Sequence, residues 1–419
     1  MSAKPMPSLL FLTQRLPYPP IKGEKIRPLQ ILKYLTQWYD VHLGCLMDDP
    51  ADAPHVATIG ALCADIHVAP LNRRLARLTC LRGLLTGESL SVAFFRDGGL
   101  ARWVNDVVTR VRPEVVFVNS SNMASYILDL PRTGLRIVDL ADVDSEKWRA
   151  YADTARPPMR WVYRREWHKV AAIERRIAAE CDVSSFVSDA EAALFRSQVP
   201  EYGARIRGVS SGVDHRYFDP GLAHAPPYDV SRPNFVFTGT MDYPPNVDAV
   251  VWFATTILPR VHKTLPQAQF HIVGNNPHPD VLRLNQMPDV HVTGRVPDVR
   301  PYLAHATAAV APMRIARGIQ NKVLEAMSLA RPVIVTSGAL EGIAAQPGRH
   351  VILADDEAGF AAACCRLATT EDGDAIGGAA RELVVTSYDW AARLSLFDDV
   401  LRPTAAGGGG FIRPAVAVS

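Results

Sequence analysis

The strongest constraint on the fold is an alternation of short apolar runs with segments whose apolar residues recur at helical spacing. In the first half of the chain, SLLFLTQ (8–14), VHLGCLM (41–47) and VVFVNS (115–120) have the length and the aliphatic content of buried strands. Strands that alternate with helices form a parallel sheet covered on both faces. The first half therefore predicts a doubly wound α/β domain.

A second series of strand-like runs begins after GLAHAPPYDVSRPN (221–234), whose Pro, Gly and Ala content is typical of a linker. We therefore expect two Rossmann-like doubly wound domains, at 1–225 and 226–385, that face each other across a cleft. A helix at about 386–402 is expected to pack back on the first domain. The last stretch, 403–419, has low complexity and is predicted to be disordered.

Composition limits the classes of function. The chain has 419 residues, which is too long for a single core and agrees with two domains. A net charge of +2 gives no basic field of the kind that nucleic-acid binding needs. The six cysteines form neither a C-x-x-C pair nor a metal-ligand spacing, so we expect reduced thiols and no metal.

The sequence also bears on the membrane. The first apolar run, Leu9–Leu12, is too short for a signal peptide, and no run of about 18 apolar residues could span a bilayer. We expect a cytoplasmic protein, with a peripheral contact at the inner face of the plasma membrane left open. The Arg-rich segment 161–180 either touches anionic headgroups or is a solvated helix packed on the first domain.

Two loops of the first domain carry candidate catalytic residues. No G-x-G-x-x-G turn follows the first strand, which argues against a dinucleotide-dependent dehydrogenase. In PYPPIKGEKIR (17–27), Gly23 either lets backbone amides meet an anion or a reacting sugar, or belongs to a stiff solvated loop. In DLADVDSEKW (139–148), Asp142 and Asp144 either act on a hydroxyl or a sugar, or cap a helix.

Two turns of the second domain could approach a ligand closely. In FTGTMDYPPNVDAVVWF (237–253), Gly239 precedes a helix N-terminus that would favour an anion. In VTGRVPDVRPYLAHA (292–306), the turn with Arg295 and Val296 could present backbone groups to a flat base edge. Both stretches could instead be ordinary strand-to-helix turns.

The segment RGIQNKVLEAM (317–327) combines a glycine loop, cations and an acid at one sheet end. Gly318 allows close approach of a phosphate, and the amides at about Ile319–Lys322 supply donors. Glu325 shares a helix face with Lys322 and could accept hydrogen bonds from paired hydroxyls, such as those of a ribose. Alternatively, the two residues form an exposed ion pair. Three cations could contact phosphate oxygens: Lys322, Arg314 and Arg317.

VLEAMSLARPVIV (323–335) resembles the glycosyltransferases of the two-Rossmann-domain type, GT-B, in the group that includes family 4. That group has two glutamates separated by seven residues; here the second is Glu325 and Arg317 occupies the position of the first. Ala330 stands where the family usually has glycine. PYPPIKGEKIR, DVDSEKW, GTMDYPPNVDAVVWF and RGIQNKVLEAM together look like the sugar transferases of exosortase/PEP-CTERM exopolysaccharide systems.

The resemblance implies a nucleoside-diphosphate sugar donor in the second domain and a glycan or lipid-linked acceptor in the first. Glu325 would bind the ribose, Gly318–Ile319 and the cations the diphosphate, and residues 294–297 would flank the base. Gly23 would face the transferred sugar. The anomeric configuration would be retained without a metal or cofactor. Two alternatives remain: a non-catalytic scaffold of a polysaccharide assembly complex, and a sugar-nucleotide epimerase of the same fold.

Overall fold

A computed structural model describes residues 6–20, 23–316 and 318–402. The chain forms two compact units, and it crosses between them at Ser210–Ser211 and again at Arg393–Leu394. Each unit contains one parallel sheet with helices, which confirms the doubly wound α/β fold class. The predicted tail, 403–419, lies outside the described residues.

The described part of the first unit holds a seven-stranded sheet in the order β3-β2-β1-β4-β5-β6-β7. The strands are β1 Ser8–Thr13, β2 Asp40–Met47, β3 Asp65–Pro70, β4 Val115–Asn119, β5 Leu135–Ala141, β6 Val183–Phe186 and β7 Ile206–Gly208. The helices are α1 Gly23–Leu35, α2 Val56–Gly60, α3 Arg73–Thr79, α4 Arg82–Thr86, α5 Leu90–Phe94, α6 Gly98–Asp106, α7 Ser121–Ala124, α8 Asp144–Thr154, α9 Met159–Glu180 and α10 Asp189–Gln198. The chain also has 3-10 turns at Pro50–His55 and Pro200–Arg205 and a π turn at Val107–Val111.

The described part of the second unit holds a six-stranded sheet in the order β10-β9-β8-β11-β12-β13. Its strands are β8 Asn234–Thr238, β9 Gln269–Val273, β10 Val290–Gly294, β11 Ala308–Ala311, β12 Val333–Val335 and β13 Ile352–Leu353. Its helices are α11 Pro244–Trp252, α12 Leu258–Val261, α13 Pro279–Leu284, α14 Arg300–Ala304, α15 Asn321–Ser328, α16 Ser337–Leu340, α17 Glu357–Thr369, α18 Asp372–Ser387 and α19 Trp390–Leu394. A π turn at Phe253–Ile257 joins α11 to α12.

The central strands are buried because helices cover both faces of a parallel sheet. Leu9, Leu10, Phe11 and Leu12 of β1 are fully buried. The Phe11 ring meets that of Phe117 edge to face, with centroids 5.6 Å apart. Strong burial of consecutive residues explains why these segments lack the alternation of a half-exposed strand.

The domain boundary at 225 predicted from sequence is replaced by one at Ser210–Ser211. The amide of Val213 donates to the carbonyl of Tyr388 at 2.8 Å, and a Cβ at Gly212 would lie 2.7 Å from that oxygen. Phe218 packs in the second core. These contacts join residues more than 150 positions apart, so composition could not reveal them.

The last described segment packs on the first unit. Instead of one helix at 386–402, the chain has α19, a 3-10 turn at Ser395–Phe397 and α20 at Asp398–Leu401. The ring of Phe397 meets that of Phe117 at 5.5 Å between centroids. The Tyr39 hydroxyl donates to the carbonyl of Leu401, and Arg207 pairs with Asp399 at 2.6 Å. Residues up to Arg393 belong to the second unit.

A buried ion pair fixes α1 to β5 across the intervening strand β4. The Arg27 Nε and Nη2 atoms each donate to one carboxylate oxygen of Asp139 at 2.8 Å. Asn119 at the end of β4 and Ser185 on β6 donate to the same carboxylate at 2.9 and 2.8 Å. Asp139 is fully buried, so its charge depends on these four hydrogen bonds.

We expect Asp139→Ala to lower the unfolding free energy of the first unit by about 3–5 kcal/mol, because it leaves the Arg27 charge buried without its carboxylate. Urea unfolding measures the loss. The control is Glu201→Ala at the exposed Arg175–Glu201 pair, which should change it by less than about 1 kcal/mol. Equal effects of the two substitutions would contradict a special role for the buried pair.

Candidate functional site

Strand order locates the candidate site in each unit. From β1 the chain continues to β2 and β3 on one side, then returns to β4 on the other; β8 and β11 are related in the same way. At these points the connections leave the carboxyl edge in opposite directions and open a crevice between them. Open α/β sheets bind their ligands in such a crevice. One such point lies beside β1 and the other beside β8.

The structure places the candidate catalytic residues of the first unit at one sheet edge. Gly23 is exposed and is the first residue of α1, which follows β1. Asp142 and Asp144 follow β5. The Arg27–Asp139 pair ties these two loops to each other, since Arg27 lies one turn after Gly23. Asp144 lies in the first helical turn and accepts a hydrogen bond from Ser121 at 3.0 Å.

The acids in this region hold their protons more tightly than ordinary carboxyls. The surrounding protein, then the charges of Glu191 and Asp144, raise the pKa of Asp142 to about 6, although part of its side chain is exposed. Burial also raises the pKa of Asp144, against the opposing effects of Lys147 and Ser121. Burial raises the pKa of Glu174 to about 8. No group of three potential ligands within the described ranges is arranged to hold a metal ion.

In the second unit, Lys322 lies beside the carboxyl end of β8. Its Nζ donates to Oδ1 of Asn246 at 2.7 Å and lies 4.3 Å from the centroid of the Phe237 ring. Asn246 in turn donates to the carbonyl of Thr240 at 2.9 Å. The ammonium thus meets a neutral amide and an aromatic face. Burial lowers its pKa to about 7, against the opposing effect of Glu325.

Glu325 lies three residues after Lys322 on α15. Its carboxylate accepts no hydrogen bond from a described residue, and no N–O distance to Lys322 is as short as 4.0 Å. Burial raises the pKa of Glu325 to about 7, and Lys322 opposes that shift. The carboxylate therefore retains acceptor capacity that the described residues of this domain do not use, as a hydroxyl-binding group requires.

The N-terminus of α15 carries unused amide donors. The backbone N–H groups of Gly318, Ile319, Asn321 and Lys322 donate to no acceptor in the described part of the chain. Gly318 has φ 65°, in the left-handed region, which turns the chain from the β11 loop toward the helix. Adjacent unbonded amides at a helix N-terminus form an anion-binding geometry.

The other residues predicted to bind the sugar donor lie at different places in the second unit. Arg314 is held by Asp248 of α11, with Nε–Oδ2 at 3.1 Å and Nη2–Oδ1 at 2.5 Å. Arg295 is exposed after β10, and the half-buried Val296 packs against the core. They lie two strands away from β8. Arg317 lies outside the described residues.

Glycine allows the ends of β8 and β9 to approach closely. A Cβ at Gly239 would lie 2.7 Å from Nδ2 of Asn246, and one at Gly274 would lie 1.6 Å from the carbonyl oxygen of Gly239. A side chain at either position would displace the neighbouring backbone or the amide that holds Lys322. Gly239 therefore has a packing role in addition to its predicted role near the ligand.

Helix α15 ends in a Schellman motif that places an alanine in the left-handed conformation. The Ala330 and Arg331 amides donate to the carbonyls of Met327 and Ala326, both at 3.0 Å. Ala330 has φ 54°, where glycine has no steric cost. This accounts for the glycine usual at this position in the resembling family.

The sequence did not reveal two of the side chains that position the site. The Asn246 side chain orients Lys322, and Asp248 orients Arg314. Both lie near the start of α11. Their polarity next to an apolar run was the available signal, but their partners are more than 60 positions away.

Residues 232–370 match the family described as Glycosyl transferases group 1. The matched segment covers the second sheet, including α15 with Lys322 and Glu325. A comparison with curated proteins found no match.

Several solved structures share the fold. Sucrose-phosphate synthase from Thermosynechococcus elongatus superimposes with a TM-score of 0.69 at 16% identity, covering 94% of this chain and 98% of that one. HepE of Anabaena, in complex with UDP, gives 0.65 at 14% identity, covering 94% and 99%. WaaG, a glycosyltransferase involved in lipopolysaccharide biosynthesis, gives 0.61 at 16%, covering 96% and 100%. At these identities the likeness establishes the GT-B fold.

We expect the stability difference between the natural chain and Glu325→Gln to depend on pH. Between pH 4.5, the ordinary Glu pKa, and about 7, the folded state holds a proton on Glu325 that the unfolded chain has released. The contribution of Glu325 to stability therefore falls as pH rises through this window. Thermal unfolding midpoints of both proteins at a series of pH values measure it. A difference that is constant from pH 4.5 to 7 would refute the raised pKa.

Proposed function

We propose that the chain, a glycosyltransferase with a group 1 domain at residues 232–370, transfers a sugar from a nucleoside-diphosphate sugar to a glycan or lipid-linked acceptor. One observation carries the proposal. The amides of Gly318, Ile319, Asn321 and Lys322, the Lys322 ammonium and the Glu325 carboxylate all lie beside the strand-order switch of that domain. Neither these four amides nor the Glu325 carboxylate forms a hydrogen bond with a described residue. This set supplies donors and a cation for a diphosphate, and an acceptor for hydroxyls.

The diphosphate becomes more negative as the bond to the sugar breaks, so groups that stabilise it lower the barrier to transfer. Four amides and Lys322 are already oriented and need little rearrangement. A bound phosphate would also favour the charged form of Lys322, reversing the effect of burial on its pKa. Arg314 can contribute a further contact only by sharing or leaving Asp248.

Glu325 is assigned to the ribose of the nucleotide. Its carboxylate can accept two hydroxyl hydrogen bonds, which a protonated carboxyl cannot do equally well. The solved HepE complexes with UDP and with UDP-glucose belong to a protein of the same fold and support a nucleotide-sugar donor. The turn with Arg295 and Val296 is assigned to the base, and Arg317 to the phosphates.

The first unit is assigned to the acceptor, with Gly23, Asp142 and Asp144 near the reacting groups. The raised pKa of Asp142, about 6, suits a group that exchanges a proton with a hydroxyl near neutral pH. Exopolysaccharide or other cell-surface polysaccharide synthesis is supported by the four motifs of the exosortase-associated transferases. We place the protein in the cytoplasm, in peripheral contact with the inner face of the plasma membrane. Among the described helices, none is long and apolar enough to cross a bilayer.

Glu325→Gln is expected to weaken binding of the recognised nucleoside diphosphate by about tenfold to a hundredfold, since hydrogen bonds to a charged group contribute about 1.5–3 kcal/mol. A thermal-shift screen of nucleoside diphosphates and nucleotide sugars identifies the ligand, because binding to the folded state raises the unfolding temperature. Calorimetric titration then gives the affinity. Glu341→Gln, at an exposed acid of the same domain, is the matched control. Absence of a shift with every nucleotide would overturn the proposal.

Sugar transfer to an acceptor is expected to proceed in the presence of a chelator and to retain the anomeric configuration of the donor. Nuclear magnetic resonance of the product determines the anomer.

Arg317→Ala should lower turnover by more than tenfold through the loss of a charge-assisted phosphate contact worth about 1.5–3 kcal/mol. If the natural chain bound a nucleotide but transferred no sugar, the result would favour the non-catalytic scaffold. If it converted the sugar of the donor into another sugar when no acceptor was present, the result would favour the epimerase.

A further inference from the structure

Five leucines of one short segment face solvent. We call residues 72–86, NRRLARLTCLRGLLT, the Leu–Arg segment; it contains α3 and α4. Leu75, Leu78 and Leu85 are 58%, 68% and 91% exposed, and Leu81 and Leu84 are about half exposed. A helix on a globular domain ordinarily turns its large apolar residues inward.

The Leu–Arg segment reverses that arrangement. Within it, the buried residues are Ala76 and Gly83, both small. The segment therefore rests on the domain through its small residues and presents its leucines outward. A cluster of exposed large apolar residues marks a surface that contacts another molecule or a membrane.

The charges of the segment have one sign. It carries four arginines and no acid. Arg73 pairs with Asp48 at 3.0 Å. Arg74, Arg77 and Arg82 are exposed and form no ion pair with a described residue. A surface that combines leucines with unneutralised arginines is complementary to an apolar layer beneath anionic groups, which is the structure of a bilayer surface.

The start of α9 extends this surface. The Arg165 Nη2 atom donates to the carbonyl of Glu88 at 2.8 Å, which fixes α9 beside the end of α4. Trp161 lies one turn earlier on the same helical face and is 66% exposed. Arg160 and Arg164 beside it are exposed as well. Exposed tryptophan next to arginine is characteristic of the headgroup region of membranes.

The surface lies at the edge of the sheet that carries the candidate acceptor loop. Asp48 directly follows β2 and holds both Arg73, at the start of α3, and Arg15, which follows β1, each at 3.0 Å. The loop to Gly23 begins at Arg15. The Leu–Arg segment is thus tied to the carboxyl end of β1, where the first unit turns toward its candidate site.

We propose that the Leu–Arg segment and Trp161 form a docking surface for an anionic lipid bilayer. Its leucines and Trp161 enter the boundary between headgroups and acyl chains, and Arg74, Arg77 and Arg82 bind lipid phosphates. The inference rests on one part of the proposed function, the peripheral location at a membrane. It does not depend on the transfer of a sugar. It assigns the contact to 72–86 and the first turn of α9 rather than to 161–180 as a whole.

Flotation of the full chain with vesicles tests the surface. The chain should bind vesicles of phosphatidylcholine with phosphatidylglycerol more strongly than vesicles of phosphatidylcholine alone. Arg74→Gln/Arg77→Gln/Arg82→Gln should weaken this binding by about fivefold per arginine. Leu78→Ser/Leu85→Ser should weaken it by about tenfold per leucine on both vesicle types. Leu282→Ser, at a leucine of the second unit that is 51% exposed, is the matched control and should bind normally.

A second measurement follows Trp161 itself. Binding should shift tryptophan emission to shorter wavelength, and Trp161→Phe should remove most of that shift while vesicles still float with the protein. Lack of vesicle binding, or equal binding by the Leu78→Ser/Leu85→Ser chain, would overturn the proposal. The proposal would also be overturned if the natural chain bound no lipid but formed a concentration-dependent dimer that the Leu78→Ser/Leu85→Ser variant did not form. That result would make the surface an interface between copies of the chain. A nucleotide thermal shift recorded on the same samples separates this failure from failure of the proposed reaction.

Discussion

Each sheet is built outward from a central pair of strands, β1 with β4 and β8 with β11, and the connections after those strands diverge. Divergence leaves backbone groups at the carboxyl edge that neither sheet nor helix satisfies. The amides of Gly318, Ile319, Asn321 and Lys322, which donate to no described acceptor, are of this kind. The positions of Gly23, Gly239 and Lys322 depend on this arrangement, because each lies in the first connection after a central strand or on the helix it leads to.

The two units treat buried charge differently. The Asp139 carboxylate receives four hydrogen bonds from Arg27, Asn119 and Ser185, so its burial is compensated within the domain. The described residues compensate Lys322 and Glu325 only in part, and burial moves the pKa of each to about 7. Uncompensated charge is costly in an empty site and favourable when a ligand supplies the missing partner. The first arrangement stabilises a fold, and the second suits binding.

Much of the fold was predictable because strand burial is a local property. Leu9–Leu12 and Val333–Val335 are uniformly apolar, and parallel sheets require that pattern. The domain boundary was not predictable, since it depends on the contact of Val213 with Tyr388. The outward orientation of Leu75, Leu78 and Leu85 was also hidden. Their spacing is that of an ordinary amphipathic helix, and only packing decides which face turns inward.

The sequence by itself determined two doubly wound domains and the residues that could meet a phosphate or a hydroxyl. It could do so because apolar periodicity and glycine loops are patterns of residues that are close together in the chain. It also marked Ala330 as a departure from the glycine usual in the resembling family. In the structure this residue follows the end of α15 and has a left-handed backbone conformation. Tertiary structure decided which of those residues are available. It directs Lys322 to Asn246, engages Arg314 with Asp248 and leaves Glu325 without a hydrogen-bond donor among the described residues. These outcomes depend on distances between elements far apart in the chain, which no local pattern encodes.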